Sequence, residues 1–255
     1  MVVQLFNANS NSAPPLWRIE RKFYITSQQI GLACGLLRHV CRRDAEHPVG
    51  QITSLYFDTI DLNEHRKSTS GDFRKDKVRI RWYGESDCRD EVRTIFLELK
   101  SKRGFAGTKH RQKMEVPADL LTMPYLAQGI IPKTQLHAML ATFGYFPLDM
   151  LWPVVVITYW RHRFIEPLTG VRVSLDYRIR STMLRPSPGN GERELELMGG
   201  VIEIKGTSIE LPPTLRQMGM LNVDWSRFSK YSACIDAHDE GIGTVGRLSP
   251  SGRIV

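Results

Sequence analysis

Residues 77–83 read Lys-Val-Arg-Ile-Arg-Trp-Tyr, in which polar side chains at odd positions alternate with apolar side chains at even positions. Successive side chains leave a β-strand on opposite sides, so this alternation predicts a strand with one charged and one apolar face. The same pattern recurs in five further segments, at 17–25, 94–100, 154–164, 171–177 and 201–205. The repetition predicts a mainly β protein.

The charged faces of these strands are rich in Arg, Lys and Glu. For any one strand, the simpler interpretation is an antiparallel sheet whose wet face carries weakly paired charges. Six such strands biased toward Arg and Lys favour a barrel with the charged side inward and helices over the apolar side. We therefore expect a mainly β (α+β) fold of about eight antiparallel strands with a few covering helices. A cationic lumen implies a polyanionic ligand.

The bulk properties agree with this expectation. The chain has 255 residues, 42% of them hydrophobic, and a net charge of +8. That size supports a sizeable core, and the charge favours anionic partners without selecting among them. The longest apolar run, 151–157, is too short to span a bilayer, and the N-terminus lacks a signal pattern, so we expect a cytoplasmic protein. The four cysteines have no metal-ligand spacing and are interpreted as core or surface thiols.

The chain divides into a body and two polar ends. We predict a flexible N-terminal arm over 1–15, one domain over 16–238 and a flexible C-terminal tail over 239–255. Within the body, residues 118–144 carry helical spacing interrupted by two prolines, and the polar stretch 61–76 is predicted to be a loop.

Three local signals predict caps and a turn. Thr26 or Ser27 is expected to cap a helix whose apolar positions run from Ile30 to Cys41. Gly199-Gly200 is typical of a two-residue hairpin turn, and Ser226 is expected to cap a short helix near the C-terminus.

Eight short motifs along the chain occur in the order found in the VTC (vacuolar transporter chaperone) domain, which this sequence resembles over roughly 17–235. That domain is the polyphosphate polymerase branch of the triphosphate tunnel metalloenzymes, which include the CYTH proteins. The motifs are Glu20-Arg21-Lys22-Phe23, Ser54-Leu55-Tyr56-Phe57-Asp58-Thr59, Val78-Arg79-Ile80-Arg81, Phe96-Leu97-Glu98-Leu99-Lys100, Tyr159-Trp160-Arg161, Val171-Arg172-Val173-Ser174-Leu175-Asp176, Ile202-Glu203-Ile204-Lys205 and Phe228-Ser229-Lys230-Tyr231.

The resemblance implies an eight-stranded antiparallel tunnel that binds ATP and inorganic polyphosphate and transfers phosphate between them, releasing ADP. It implies basic catalytic residues that contact the phosphates, namely Lys22, Arg79, Arg81, Lys100, Arg161 and Arg172. It implies further substrate-binding residues at Lys109, Tyr159, Arg227, Ser229 and Lys230. Glu203 matches the family's metal-binding glutamate, and the expected ion is Mn²⁺ or Mg²⁺. Arg227 stands where the family usually has Lys, and the loop 61–76 lacks the family's usual aromatic pattern.

The residue types suit phosphoryl transfer, which needs fixed cations and a divalent metal more than covalent help from the protein. A terminal phosphate of polyphosphate is already ionised near neutral pH and needs no general base, whereas water would benefit from one. His110 and His162 fall on the parity opposite to the basic residues and should point away from them. Glu20 and Glu98 lie two residues from a Lys on the same face, which favours an ion-pair role.

Two other functional classes stay open. A hydrolase or cyclase of the CYTH group would carry E-x-E-x-K at its first strand, but here the first Glu is replaced by Arg18. A noncatalytic polyanion-binding module could keep the basic lining without turnover. We expect no nucleic-acid partner, because most aromatic residues alternate onto the face opposite the charges. The sequence shows no transmembrane segment, so coupling to translocation would require a separate membrane partner.

Overall fold

The computed structural model describes residues 19–84, 91–104, 106–184, 194–208 and 210–239. The strands are β1 (Ile19–Ile25), β2 (Arg42–Arg43), β3 (Val49–Asp58), β4 (Arg74–Tyr83), β5 (Val92–Arg103), β6 (Ala106–Pro117), β7 (Trp152–Ile165), β8 (Arg172–Met183), β9 (Glu194–Gly206) and β10 (Trp225–Ser226). The α-helices are α1 (Gln29–Val40), α2 (Asn63–Ser70), α3 (Met123–Gln128), α4 (Lys133–Thr142) and α5 (Lys230–Asp239). Two 3₁₀ helices span Ala118–Leu121 and Pro213–Leu221.

The predicted fold class is confirmed, because the structure consists mainly of antiparallel strands with a few helices. The pairs β1–β9, β3–β4, β4–β5 and β5–β6 are all antiparallel. The helices predicted within 118–144 form as two short α-helices and a 3₁₀ turn, each broken near a proline as the sequence indicates.

The chain folds as two compact units. The first unit comprises the described residues of Ile52–Ile157 and Ser181–Glu194, and the second comprises those up to Gln51, Thr158–Arg180 and those from Leu195 onward. The boundary between the units falls within β3, β7, β8 and β9.

In the first unit, strands β3, β4, β5 and β6 follow one another in the sheet. The apolar positions align across the strands, since Leu55 pairs with Ile80 and Ile80 pairs with Leu97. All three side chains are fully buried and share a core with Leu136 and Leu140 of α4. Fully burying one such side chain contributes about 1.5–3 kcal/mol, so this face anchors the sheet.

In the second unit, the strand order is β10-β1-β9-β8-β7. Its core joins the apolar faces of these strands, represented by Ile204 and Phe164, to Leu37 of α1 and Leu215 of the second 3₁₀ helix. The other face of the same strands is therefore left for the polar positions of the alternating pattern.

The prediction of a loop over 61–76 is wrong, because this stretch contains α2 and the start of β4. The Asp58 carboxylate accepts hydrogen bonds from the backbone N–H groups of Glu64 and His65 at 3.0 and 2.9 Å. These bonds satisfy two of the amide groups that a helix leaves without partners at its first turn. The helix is polar throughout its length, so no apolar period announces it in the sequence.

The predicted hairpin turn at Gly199-Gly200 is also wrong, because β9 continues through both glycines. Gly199 has a φ of +112°, and a Cβ added to it would overlap the carbonyl oxygen of Ile25. A Cβ on Gly200 would lie 2.7 Å from the carbonyl oxygen of Asp176. The two glycines thus allow close approach of neighbouring backbones rather than a reversal of the chain.

The predicted helix caps are both wrong, and the residue that precedes α1, Gln28, makes no capping hydrogen bond with its side chain. At the start of α1, the Gln29 side-chain oxygen accepts hydrogen bonds from the backbone N–H and the hydroxyl of Thr26. Ser226 lies in β10, where it pairs with Lys22. At the start of α5 it is Ser229 whose hydroxyl accepts from the Ser232 N–H, at 3.3 Å.

Several sequence predictions concern residues at the margins of the structure. The predicted N-terminal arm and residues 240–255 of the predicted tail lie outside the described residues, while Asp239 is the last residue of α5. Cys34, Cys41 and Cys234 form no disulfide bonds, and Cys88 lies outside the described residues. In the described part of the chain, none of the helices combines the length and the apolar character needed to cross a membrane.

Candidate phosphate-binding sites

Seven basic residues of β4, β5 and β6 in the first unit lie on one face of the sheet, and we call this surface the cationic face. The strand register arranges it in cross-strand rows, Lys77–Lys100–Lys109, Arg79–Glu98–Arg111 and Arg81–Phe96–Lys113. Directly opposite residues have Cβ atoms about 4.5–5.5 Å apart. The structure therefore brings together four residues of the predicted site, Arg79, Arg81, Lys100 and Lys109.

Glu98 is the central carboxylate of the cationic face. Its side chain is 1% exposed, and its oxygens lie 2.7 Å from Arg79 Nη2, 2.7 Å from Lys109 Nζ and 3.2 Å from Arg111 Nε. Burial alone would raise the pKa of Glu98, but the charges of Arg79, Arg81 and Lys109 lower it to about 2. Glu98 is therefore ionised at any physiological pH and forms the ion pairs that the sequence predicts.

The pKa of Lys109 reflects opposing effects of burial and of the neighbouring charges. Burial lowers its pKa to about 8, although the neighbouring Glu98 carboxylate acts to raise it. The charges of Arg79 and Arg81 also act to lower it. A lysine in this state is partly neutral just above physiological pH, so its contribution to anion binding varies with pH.

Polar side chains on β3 hold the two arginines of β4. Arg79 Nη1 and the Tyr56 hydroxyl are 2.9 Å apart, and Arg81 Nε donates to the Ser54 hydroxyl at 3.0 Å. Together with the bond from Arg79 Nε to Glu98 at 2.8 Å, these contacts fix the orientation of both guanidinium groups. Ser54 and Tyr56 were not among the predicted site residues, although their parity places both on the charged side of β3.

Arg111 lies over an aromatic surface. Its guanidinium carbon is 3.5 Å from the centre of the Phe96 ring, and its Nη2 donates to the Tyr83 hydroxyl at 3.0 Å. Stacking of this kind restricts a long side chain to one orientation. These aromatic residues share the face of the basic ones, contrary to the general separation that the sequence suggests. Arg111 is a site residue that the sequence analysis missed, and its position two residues after Lys109 was the available signal.

The second unit contains a separate cluster of charges, which we call the Asp176 cluster. Asp176 is fully buried, and its oxygens accept from Arg161 Nε at 2.6 Å and Arg161 Nη2 at 2.7 Å, while Lys230 Nζ lies 2.5 Å away. Burial acts to raise the pKa of Asp176, yet Arg161 and Lys230 hold it below its usual value. Two of the predicted phosphate-binding residues are thus fixed by one carboxylate.

Glu203 is the second carboxylate of the Asp176 cluster. It forms an ion pair with Lys205, and Arg161 Nη2 lies 3.8 Å from it. Despite burial, the charges of Lys205, Lys22 and Arg161 hold the pKa of Glu203 well below its usual value. Lys22 is paired with Glu203 across β1 and β9, and its Nζ donates to the Phe228 carbonyl oxygen at 3.1 Å.

The donor set around Glu203 limits how a divalent ion could bind. Among the described residues, no group of three or more His, Cys, Asp or Glu side chains is placed to hold a metal. Mg²⁺ is commonly bound by one or two carboxylates together with waters and substrate phosphates. With Glu203 as its carboxylate, such an ion would have to take its remaining ligands from water and substrate phosphates, because Glu203 is also ion-paired with Lys205.

The Tyr159 ring lies close to two cations of the Asp176 cluster. The ring is 3% exposed, with Lys230 Nζ 4.8 Å and the Arg161 guanidinium carbon 5.5 Å from its centre. Ser229, which precedes Lys230, bonds to the first turn of α5 as described above. The structure thus brings Lys22, Tyr159, Arg161, Glu203, Ser229 and Lys230 into one region of the second unit.

Two predicted residues stand apart from these contacts. Arg172 and Arg227 are exposed, and neither side chain bonds to any residue in the described ranges. Arg172 shares the parity of Asp176 on β8 and so lies on the same side of that strand. Arg227 lies between β10 and α5.

The two histidines of the charged strands lie away from the basic residues, as their parity predicts. His110 stacks on Phe143 with ring centres 5.4 Å apart, and His162 stacks on Tyr177 at the same distance. Phe143 and Tyr177 pack against the apolar cores of their respective units. Neither histidine is therefore available as a base on the charged faces.

Comparisons with known proteins give a family and distant structural neighbours. The family model for the VTC domain matches residues 17–238, which confirms the resemblance seen in the sequence. No curated protein matches the chain.

Among solved structures, a proposed adenylate cyclase from Bacillus halodurans aligns with 17% identity and a TM-score of 0.48, covering 84% of this chain and 95% of that one. Another, from Vibrio parahaemolyticus, aligns with 11% identity and a TM-score of 0.45, covering 88% and 100%. The Schizosaccharomyces pombe Mediator head module aligns with 8% identity and a TM-score of 0.33, covering 82% and 96%.

Proposed function

Because the chain belongs to the VTC domain family, we propose that it is a polyphosphate polymerase that transfers the terminal phosphate of ATP to a growing polyphosphate chain. The observation that carries this proposal is the state of the acidic residues beside the cations. Glu98, Asp176 and Glu203 are all buried and ion-paired, and the pKa of each lies below its ordinary value. Such carboxylates are poor proton acceptors near neutral pH.

Among the described histidines and carboxylates of the charged strands considered above, none is placed to act as a base, which favours a phosphate nucleophile over water. The histidines of the charged strands are stacked on the apolar side, and the carboxylates are committed to arginine and lysine. A terminal phosphate of polyphosphate is already anionic and can attack without giving up a proton. The arrangement therefore suits chain extension better than hydrolysis.

In the proposed reaction, the cationic face of the first unit binds phosphate oxygens along its rows. Arginine forks hold two oxygens at once, and lysines act as point charges. Arg79 and Arg81 are already oriented by Tyr56 and Ser54, so little conformational entropy is lost when phosphate binds.

The Asp176 cluster supplies its own fixed charges to the proposed reaction. Arg161 and Lys230 neutralise negative charge that develops on the transferred phosphoryl group, and Asp176 keeps both side chains in position. Lys22 adds a further positive charge beside Glu203. Glu203 would hold Mn²⁺ or Mg²⁺ together with phosphate oxygens, and such an ion supplies additional charge neutralisation when bound.

The proposal is tested by incubating the purified protein with ATP and Mn²⁺, with and without a short polyphosphate primer. ADP, free phosphate and long-chain polymer are followed together in each reaction. ADP with polymer and little free phosphate is the expected result. Free phosphate without polymer would replace the proposal with a triphosphatase of the CYTH type. The absence of any turnover, with polyphosphate binding that Arg79→Ala removes, would replace it with a noncatalytic binding module.

A further inference from the structure

A groove on the second unit is separate from the charged residues discussed so far. It has a volume of about 490 Å³, within the roughly 300–1,000 Å³ that small-molecule sites occupy. Its lining comes from β1, β10, the second 3₁₀ helix and the segment that leads into that helix. The lining residues are Arg21, Phe23, Glu210, Leu211, Arg216 and Trp225.

The groove and the Asp176 cluster use opposite faces of β1. Arg21 and Phe23 line the groove, whereas Lys22 between them faces Glu203. Successive residues of a strand point to opposite sides, so a molecule in the groove cannot occupy the position proposed for the substrate phosphates. The groove is therefore a second location.

An exposed aromatic ring forms one wall of the groove. Trp225 is 66% exposed and is paired with Phe23 across β10 and β1. A large exposed aromatic side chain beside buried apolar ones is a common stacking surface for a planar group. The groove thus offers a flat apolar wall that a planar ring would cover.

Two arginines supply positive charge at the same place. Arg21 is 6% exposed, and its Nη2 donates to the Glu210 carbonyl oxygen at 3.1 Å. Arg216 is exposed and bonds to no side chain or backbone group in the described part of the protein. The exposed carboxylate of Glu210 offsets only one of these two charges.

The buried position of Arg21 has an energetic consequence. Burial lowers the pKa of Arg21, which reflects the cost of removing a guanidinium from water. An anion bound beside this guanidinium would interact favourably with it, and the exposed Arg216 lines the same groove.

We propose that this groove binds a nucleoside phosphate, with the planar base against Trp225 and the phosphate between Arg21 and Arg216. A free phosphate would leave the aromatic wall uncovered, and a neutral nucleoside would leave the net positive charge of the lining unmatched. The combination of one planar ring and one anionic group fits the lining better than either alone.

The experiment measures binding of AMP to the full chain without metal, by calorimetry and by quenching of tryptophan fluorescence. AMP has no transferable phosphoanhydride, so its binding is independent of whether the protein makes polyphosphate. Adenosine and inorganic phosphate are titrated as the two halves of the probe. Arg216→Ala and Trp225→Ala are the test variants, and Arg178→Ala, which removes another exposed arginine of the second unit, is the matched control.

The expected result is saturable binding of AMP at one site, with adenosine and phosphate each at least about tenfold weaker. Loss of a charge-assisted contact of about 1.5–3 kcal/mol predicts roughly 10- to 100-fold weaker binding in Arg216→Ala. Trp225→Ala should weaken AMP binding and abolish the fluorescence change, and Arg178→Ala should do neither. Equal AMP affinity in Arg216→Ala, Trp225→Ala and the unmodified chain would overturn the proposal. Phosphate binding as tight as AMP binding would also overturn it, because the aromatic wall would then have no role.

Discussion

The two charged regions of the molecule differ in charge balance and in burial. On the cationic face of the first unit, cross-strand rows of lysine and arginine surround Glu98, and several of these cations are half exposed. In the Asp176 cluster, two buried carboxylates are matched closely by Arg161, Lys205 and Lys230. The first region has a surplus of positive charge, and the second is nearly balanced.

This difference shows that strands with similar alternating patterns can differ in role. On the cationic face they present cations to a ligand, and in the Asp176 cluster they hold charged side chains in fixed positions. A surplus of partly exposed cations costs little to hold near water and is satisfied when a polyanion arrives. A buried and balanced cluster is sensitive to the loss of any member, because the remaining charge has no access to water. Substitutions in the two regions should therefore have different signatures.

The largest expected effect is on the stability of the second unit. Arg161→Ala leaves the fully buried Asp176 with Lys230 alone among its ion-pair contacts described above, and breaking a buried pair of this kind costs about 3–5 kcal/mol. Urea unfolding should show a correspondingly lower free energy of unfolding.

A matched control for this substitution lies on β8, the strand that carries Asp176. Arg172→Ala removes an exposed arginine and should change the free energy of unfolding by no more than about 0.5 kcal/mol. Arg161→Ala and Arg172→Ala should therefore differ in their free energies of unfolding. Equal destabilisation would contradict the prediction that pairing with the buried Asp176 makes Arg161 the more important of the two.

A somewhat smaller effect is expected in the apolar core of the first unit. Ile80 is fully buried, and Ile80→Ala should lower the free energy of unfolding by about 2–5 kcal/mol. Polyphosphate affinity, measured under conditions where the variant remains folded, should stay close to that of the unmodified chain. Loss of affinity in the folded variant would show that the two faces of β4 are not independent.

The neighbouring residue on β4 should behave in the opposite way. Arg79→Ala removes a guanidinium from the cationic face, and losing its charge-assisted contacts should weaken polyphosphate binding about 10- to 100-fold. Stability should fall less than in Ile80→Ala, because Lys109 and Arg111 still contact Glu98. Polyphosphate binding and urea unfolding should be measured on both variants. The prediction fails if Arg79→Ala loses stability but not affinity, or if Ile80→Ala loses affinity but not stability.

The smallest expected effect concerns pH. Because the pKa of Lys109 is lowered to about 8, its positive charge is lost as the pH rises from 7 to 9. Triphosphate affinity without metal should therefore decrease by a few-fold over that interval. Lys109→Arg keeps its charge throughout, so its affinity should stay flat, and an unchanged slope in this variant would assign the titration to another group.

The same titration has a consequence for stability with a definite sign. A lysine whose pKa is lower in the folded state than in the unfolded state binds fewer protons when folded between about pH 8 and its usual value near 10.5. Its contribution to folding therefore becomes more favourable as the pH rises through that interval. Lys109→Arg should lose this dependence in urea unfolding measured between pH 8 and 10.

Much of the fold could be predicted because the alternation of side chains along a strand is visible in a short segment of sequence. In 77–83, parity separates the side chains of β4 into a charged and an apolar set, and the structure places Ile80 in the core and Arg79 on the cationic face. The helix α2 could not be predicted, because its first turn is held by Asp58, which ends the preceding strand. The turn predicted at Gly199 was wrong for a similar reason. Glycine is needed there because the carbonyl oxygen of Ile25, a residue distant in sequence, comes close to it.

The sequence by itself determined which side chains share a face, because the period of a strand is fixed by backbone geometry. That was enough to identify Lys22, Arg79 and Arg161 as members of charged faces. Only the tertiary structure decided which charges meet, since Arg161 contacts Asp176 and Arg111 contacts Glu98 through the register of separate strands. It also decided which of them are buried. Register and burial arise from packing between distant segments, and a local pattern cannot contain them.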